Sequence, residues 1–388
     1  MTIMRYAVFL IFINFTLGLH AQQDVKPATK ASSDSVEDVQ LDSVREKKVS
    51  LRKAESRAKG VPKYQQGNQL NVESSKNSAL FKSKSYSSSN QRMQRSPSQE
   101  EQVEMDNIVN YFDSVAPNSF EYNYYKYVSS NYDVNLFPNL KEAEKIRPNN
   151  VDVNIEMSGY YIIKGDKVNG LLNIEEVIGS GRLLNEVMLY SEDILLSAPV
   201  NSTLITHGFE DTYSTWYTQN KNNLRRDVRI VSLNFLQSEF YRNQLISEGY
   251  KMPGSDLIDV NFFSEFCKLN SVKNIVVSLT TPKEYFRINS DRFFITGVVA
   301  SYASTGKFNV QENEKLWRSI LKKDLVNKAL TNKGKQLSSN YLPMLLQIRK
   351  VYNSLSDHKT VAELDAAIDK ISAQSGKYEK VQKLKVRY

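Results

Sequence analysis

Residues 199–310 constrain the fold most strongly. Short runs rich in β-branched residues, at 202–206 (STLIT), 228–233 (VRIVSL), 275–279 (IVVSL) and 293–299 (FFITGVV), alternate there with polar or amphipathic stretches of helical length such as 213–221 and 239–248. Strands that alternate with helices bury both faces of a mostly parallel sheet, because each crossover lays a helix on it. The predicted fold class is therefore α/β with helical flanks: a small, mostly parallel sheet over 199–310, helices before it and a helical tail over 311–388.

The preceding flank, 105–198, carries helical periodicity. Ile108, Val109, Phe112 and Val115 share one face, and a tyrosine-rich stretch follows at 120–127 (FEYNYYKY). Two segments come next: 136–146 (LFPNLKEAEKI), closed by Arg147-Pro148-Asn149-Asn150, and 151–163 (VDVNIEMSGYYII), closed by Lys164-Gly165-Asp166. A third pair is predicted over 168–196. Paired helices with a small residue, Gly159, and neighbouring tyrosines resemble tetratricopeptide-type hairpins, though a plain helical bundle fits the pattern equally. Gly159 is expected to let two helices approach, with the tyrosines packing across the pair. In the tail, Leu316, Trp317, Ile320 and Leu321 form one apolar face, 341–351 a second and 361–371 a third.

The chain opens with Arg5, an apolar run over 7–15 and the small residue Ala21, the layout of a secretory signal peptide over residues 1–21. That run is too short to span a bilayer, which needs about 20 apolar residues. Residues 22–104 are dominated by serine, lysine, glutamine and glutamate, so a disordered, mildly basic linker is expected. The expected location is the periplasm, or association with an outer membrane, peripheral to the bilayer at most. The net charge of +8 names no single partner, and export argues against nucleic acid. Cys267, the lone cysteine, sits in an apolar stretch (FFSEFCKL) and reads as a small buried hydrophobe.

Residues 201–245 (NSTLITHGFEDTYSTWYTQNKNNLRRDVRIVSLNFLQSEFYRNQL) read as strand, tight turn, helix, strand, helix. Gly208 directly after a strand permits a backbone conformation that a Cβ opposes. Glu210 and Asp211 fall where the helix begins, so either can answer its free N–H groups and its dipole. In an open parallel sheet ligands bind outside the carboxyl ends of the strands, which is where His207, Glu210, Asp211 and Asn234 should lie. Asn201, Leu204, Thr206, Gly208, Asp211-Thr212, Trp216-Tyr217, Gln219, Arg226-Asp227-Val228, Val231, Leu233, Tyr241 and Gln244-Leu245 together resemble the soluble C-terminal module of a Bacteroidota family of membrane proteins described as protein O-mannosyltransferase-like. The resemblance spans about 195–350 and implies a small Rossmann-like core in an extracytoplasmic setting. Two departures limit it: Gly208-Phe209-Glu210-Asp211 stands where that family has Gly-Asp-Asn-Asp, and the transmembrane part, which would hold any transfer chemistry, is missing.

The candidate binding residues are thus His207, Glu210, Asp211, Trp216 and Asn234. Glu210 and Asp211 have a catalytic or hard-metal reading and a structural one, as cap and solvated charge, and the structural one accounts for both residue types and their place. Trp216 could stack on a sugar, although on a helix against a sheet it is more often core. His207 has one further histidine, His358, in the chain after residue 21, too few for a zinc site. No phosphate loop, nucleophile elbow or metalloprotease motif is present, and no cofactor is called for. The expected function is a non-enzymatic envelope protein that binds an envelope protein complex or a glycan. The alternative is a glycan-active enzyme, or an accessory subunit of a glycosyltransferase, using the strand-end residues.

Overall fold

The computed structural model describes residues 63–90, 95–303 and 308–387. The expected signal peptide, and the expected linker up to residue 62, lie outside these residues.

Among the described residues, seven α-helices precede the sheet: α1 Lys63–Asn90, α2 Gln99–Val115, α3 Phe120–Ser129, α4 Phe137–Ile146, α5 Val151–Lys164, α6 Lys167–Gly179 and α7 Asn185–Ser197. The linker predicted over 22–104 is corrected by α1 and by the start of α2. Ser98 and Glu101 form a capping box that starts α2 at Gln99, six residues before the apolar period becomes visible. Within α1, Phe81 is buried and stacks on Tyr125 with ring centroids 4.0 Å apart, in a small core with Met105, Ile108 and Phe112. One aromatic anchor in a polar segment is a signal that composition averages away.

Between α4 and α7 the predicted helices are present, and their stops have local causes. Asn150 caps α5 by accepting from the N–H groups of Asp152 and Val153. Gly165 ends it at φ +72°, with Asp166 N–H bonded to Tyr161 O and Gly165 N–H to Ile162 O. Phe137 stacks on Tyr160 at 3.6 Å, so the tyrosines do pack across the α4–α5 pair. Gly159 does something other than expected: a Cβ there would lie 2.5 Å from the Tyr213 hydroxyl and 3.6 Å from the Tyr132 ring. It admits side chains from outside the pair and not a second helix backbone.

The α/β part contains β1 Thr203–Thr206, α8 Gly208–Lys221, β2 Arg229–Ser232, α9 Glu239–Ser247, α10 Val260–Leu269, β3 Ile275–Ser278, α11 Lys283–Arg287, β4 Phe293–Thr296 and β5 Val299–Tyr302. The sheet order is β2-β1-β3-β5-β4. β1 pairs in parallel with β2 and β3, while β5 runs antiparallel to both β3 and β4. Four strands thus point one way and β5 runs against them. The run 293–299, expected as one strand, is the first half of a hairpin that turns at Gly297 (φ +60°), where a Cβ would collide with Ser197. The strands are almost wholly buried, and α10 contributes Phe262, Phe263, Phe266 and the buried Cys267 to the same core.

The tail is helical, as expected: α12 Val310–Lys315, running on into a π-helical turn at Leu316–Ile320, then α13 Asp324–Lys328, α14 Asn332–Ser338, α15 Leu342–Ser354, α16 His358–Gln374 and α17 Tyr378–Arg387. Two carboxylates of α7 tie it down. Asp193 is fully buried and accepts from the N–H groups of Lys322 and Lys323 and from the Tyr341 hydroxyl. Glu186 accepts from the N–H groups of Leu330 and Thr331 and from the Thr331 hydroxyl.

Candidate functional site

β1 ends at Thr206, and α8 begins at Gly208 with φ +69°, a conformation that glycine adopts without strain. Two side chains hold this turn open. Asn234, just past β2, accepts the Gly208 N–H through Oδ1 at 2.8 Å. Asp211, in the first turn of α8, accepts the His207 N–H through Oδ2 at 3.0 Å and the Ser278 hydroxyl through Oδ1 at 3.0 Å. Asp211 therefore joins the ends of β1 and β3, and Asn234 joins the β1 turn to β2. Burial pushes the Asp211 carboxyl up to about 6, while the His207 N–H, the Thr280 and Ser278 hydroxyls and Lys333 pull it back.

His207 Nε2 lies 2.8 Å from the Thr280 carbonyl oxygen, which only accepts, so Nε2 carries the proton. Nδ1 then presents its lone pair to Arg95 Nη1 at 3.4 Å. Arg95 is itself buried, threaded in from ahead of α2 and anchored by its N–H on the Ile258 carbonyl, while Ser96 Oγ accepts the Ile258 N–H. Glu210, also in the first turn of α8, pairs with Lys333 of α14.

Trp216 departs from the rest. It lies two turns along α8, against Gly170 of α6, where a Cβ would sit 2.8 Å from the indole ring. There it lines a different hollow of about 370 Å³ together with Arg226 and Gln244. The amide of Gln219 on that wall is committed to the carbonyls of Arg225 and Val228. The structure thus gathers His207, Glu210, Asp211 and Asn234 at the strand ends and puts Trp216 elsewhere.

Beside the gathered residues, between the strand ends and the helical array, lies a crevice of about 290 Å³. Gly208, Glu210 and Asn234 reach it from the sheet side; His207 and Asp211 stand behind them and shape the turn. Its aromatic wall is Tyr124, Tyr127, Tyr132, Tyr213, Phe209 and Phe235. Asp152 and Glu156 enter from α5. Burial pushes the Glu156 carboxyl up to about 7, and the neighbouring Asp152 adds to the rise.

Tyr132 and the residue before it, Asn131, both have positive φ, +67° and +56°. A left-handed aromatic residue is costly, on the order of 1–3 kcal/mol, and persists where its surroundings hold it. Here the ring packs edge-on against Phe235, with ring centroids 5.3 Å apart. Arg95, Tyr127, Tyr132 and Glu156 are the crevice residues that sequence reasoning missed. Arg95 fell inside the expected linker; the others sit on helices whose apolar period says nothing of the gap they border.

The family model described as TMEM260-associated domain 2 matches residues 188–384, just over half of the chain. No curated protein and no solved structure matches the chain. The matched region holds the sheet, the tail and the sheet side of the crevice, whereas Arg95, the α3 tyrosines, Tyr132, Asp152 and Glu156 all precede it.

Proposed function

We propose, from the premise that this chain belongs to the TMEM260-associated domain 2 family, that it is an exported, non-enzymatic binding module of the cell envelope whose crevice holds a glycan. The observation that carries this reading is the crevice itself. It lies outside the carboxyl ends of parallel strands, where ligands of such sheets bind, and joins tyrosine faces to a few convergent polar groups. Aromatic faces suit the apolar face of a sugar ring, while Asn234, Gln237 and the carboxyl groups suit its hydroxyls. In the same reading the sheet is a small Rossmann-like core, the paired helices are tetratricopeptide-like hairpins, and the module is akin to that of the Bacteroidota O-mannosyltransferase-like membrane proteins. Residence in the periplasm or at the outer membrane follows from the signal peptide read at residues 1–21, and no described helix is long and apolar enough to cross a membrane.

Binding is favoured over glycan catalysis because His207 and Asp211, the natural acid–base candidates, spend their polar atoms on fixing the turn. Calorimetric titration of residues 22–388 with a panel of monosaccharides tests the proposal. Asn234→Ala should weaken whichever sugar binds by about tenfold, the worth of one or two lost hydrogen bonds. Binding of no member of the panel, or equal binding by the variant, would overturn it.

A further inference from the structure

We infer that the crevice accepts a primary ammonium group at its Asp152–Glu156 end, so that the ligand of the binding function proposed above is an amine-bearing one, with an amino sugar as the form that function implies. Glu156 is partly buried and stripped of much of its water, and the one charge acting on it is the like charge of Asp152, one helical turn away. Among the described residues it makes no ion pair. Glu156 acts electrostatically on Tyr127, Tyr132 and Tyr213, three phenols that line the same space.

Tyr127 supplies an independent observation. It is 1% exposed, it borders the crevice, and its hydroxyl is buried with no hydrogen-bond partner. Buried polar atoms are nearly always satisfied, and an orphan beside a cavity marks a place where a ligand atom belongs.

The chemistry of that atom follows from its neighbours. A carboxylate or phosphate would meet two acids. A neutral hydroxyl would satisfy Tyr127 and leave the carboxyl pair without a counter-charge. An ammonium answers both: it donates to Glu156 in a charge-assisted hydrogen bond, donates to the Tyr127 oxygen, and rests against tyrosine faces that attract cations. Four cations border the crevice: Arg95 faces His207, Lys333 pairs with Glu210, and neither Lys82 nor Arg182 forms an ion pair with Asp152 or Glu156 among the described residues. The Asn131–Tyr132 backbone, held in its strained conformation, fixes one wall of this end.

The test is calorimetry on residues 22–388 near neutral pH with glucosamine, N-acetylglucosamine, glucose and ethanolamine, for the wild type, Glu156→Gln and Tyr127→Phe. Glucosamine should bind about tenfold or more tighter than its acetylated form. Glu156→Gln should abolish that preference while leaving the melting curve cooperative. Neutral sugars binding as well as glucosamine would overturn the ammonium inference and leave the glycan function standing. Ethanolamine binding as tightly as glucosamine, with the same dependence on Glu156, would uphold the ammonium site and overturn the sugar. Binding of none would overturn both. If Glu156→Gln does not fold, Tyr127→Phe decides: it removes one oxygen from a buried ring, and unchanged glucosamine affinity in it would overturn the inference.

Discussion

The Asp211 carboxyl bridges two strand ends, taking the His207 N–H on one oxygen and the Ser278 hydroxyl on the other. Asp211→Ala should therefore orphan a buried donor and cost about 1–3 kcal/mol in denaturant unfolding. An unchanged unfolding midpoint would show that the bridge carries nothing. Acid–base behaviour adds a second expectation. Burial raises Glu156 from 4.5 to about 7 and Asp211 from 3.8 to about 6. Between those values the folded chain holds protons that the unfolded chain has released, so stability falls as pH rises through roughly 4–7 and levels off above it. Melting temperatures across that range should follow this slope, and Glu156→Gln should flatten its upper part; a profile that instead rises with pH would contradict the assigned burial. His207, Gly208, Asp211 and Asn234 were legible in the sequence because a strand followed by glycine and acids is a local pattern. Tyr132 and Glu156 were not, because their meaning depends on a gap between elements far apart in the chain.

At the scale of elements, two close fits and one tie decide how the parts meet. Gly159 leaves room on α5 for the Tyr213 hydroxyl, so Gly159→Ala should push Tyr213 and Tyr132 aside, at a cost of about 1–3 kcal/mol in stability, and weaken ligand binding. Unaltered stability and affinity would mean that the fit is slack. Asp193 of α7 holds the turn before α13 and the Tyr341 hydroxyl together; Asp193→Ala leaves the buried Tyr341 hydroxyl and two part-buried N–H groups unmet, and should destabilise the chain by on the order of 3 kcal/mol. Helix stops at Arg147-Pro148 and Gly165, and the alternation of strand and helix over 199–310, could be read ahead of the structure because their causes are local. The hairpin at Gly297 could not, since only the approach of Ser197 from α7 shows why glycine stands there. The capping box at Ser98 and Glu101 was in the sequence, but a composition-led reading of that segment passed over it.

Across the whole molecule the crevice has two owners. The sheet side lies inside residues 188–384, the region shared with the family, and the facing wall comes from helices and loops before it. A ligand specificity set by Tyr127, Tyr132 and Glu156 is thus particular to chains that carry such an array, whereas the turn built by His207, Asp211 and Asn234 belongs to the shared region. The arrangement also explains why the five candidate residues did not all converge. Trp216 is on the correct helix, yet two turns along it and packed against Gly170. The most direct measurement of the central claim is amide hydrogen exchange of residues 22–388 with and without saturating glucosamine. Binding in the crevice should slow exchange in both walls together, over residues 124–133 and 208–213. Protection confined to the hollow around Trp216, Arg226 and Gln244, or confined to one wall, would contradict it.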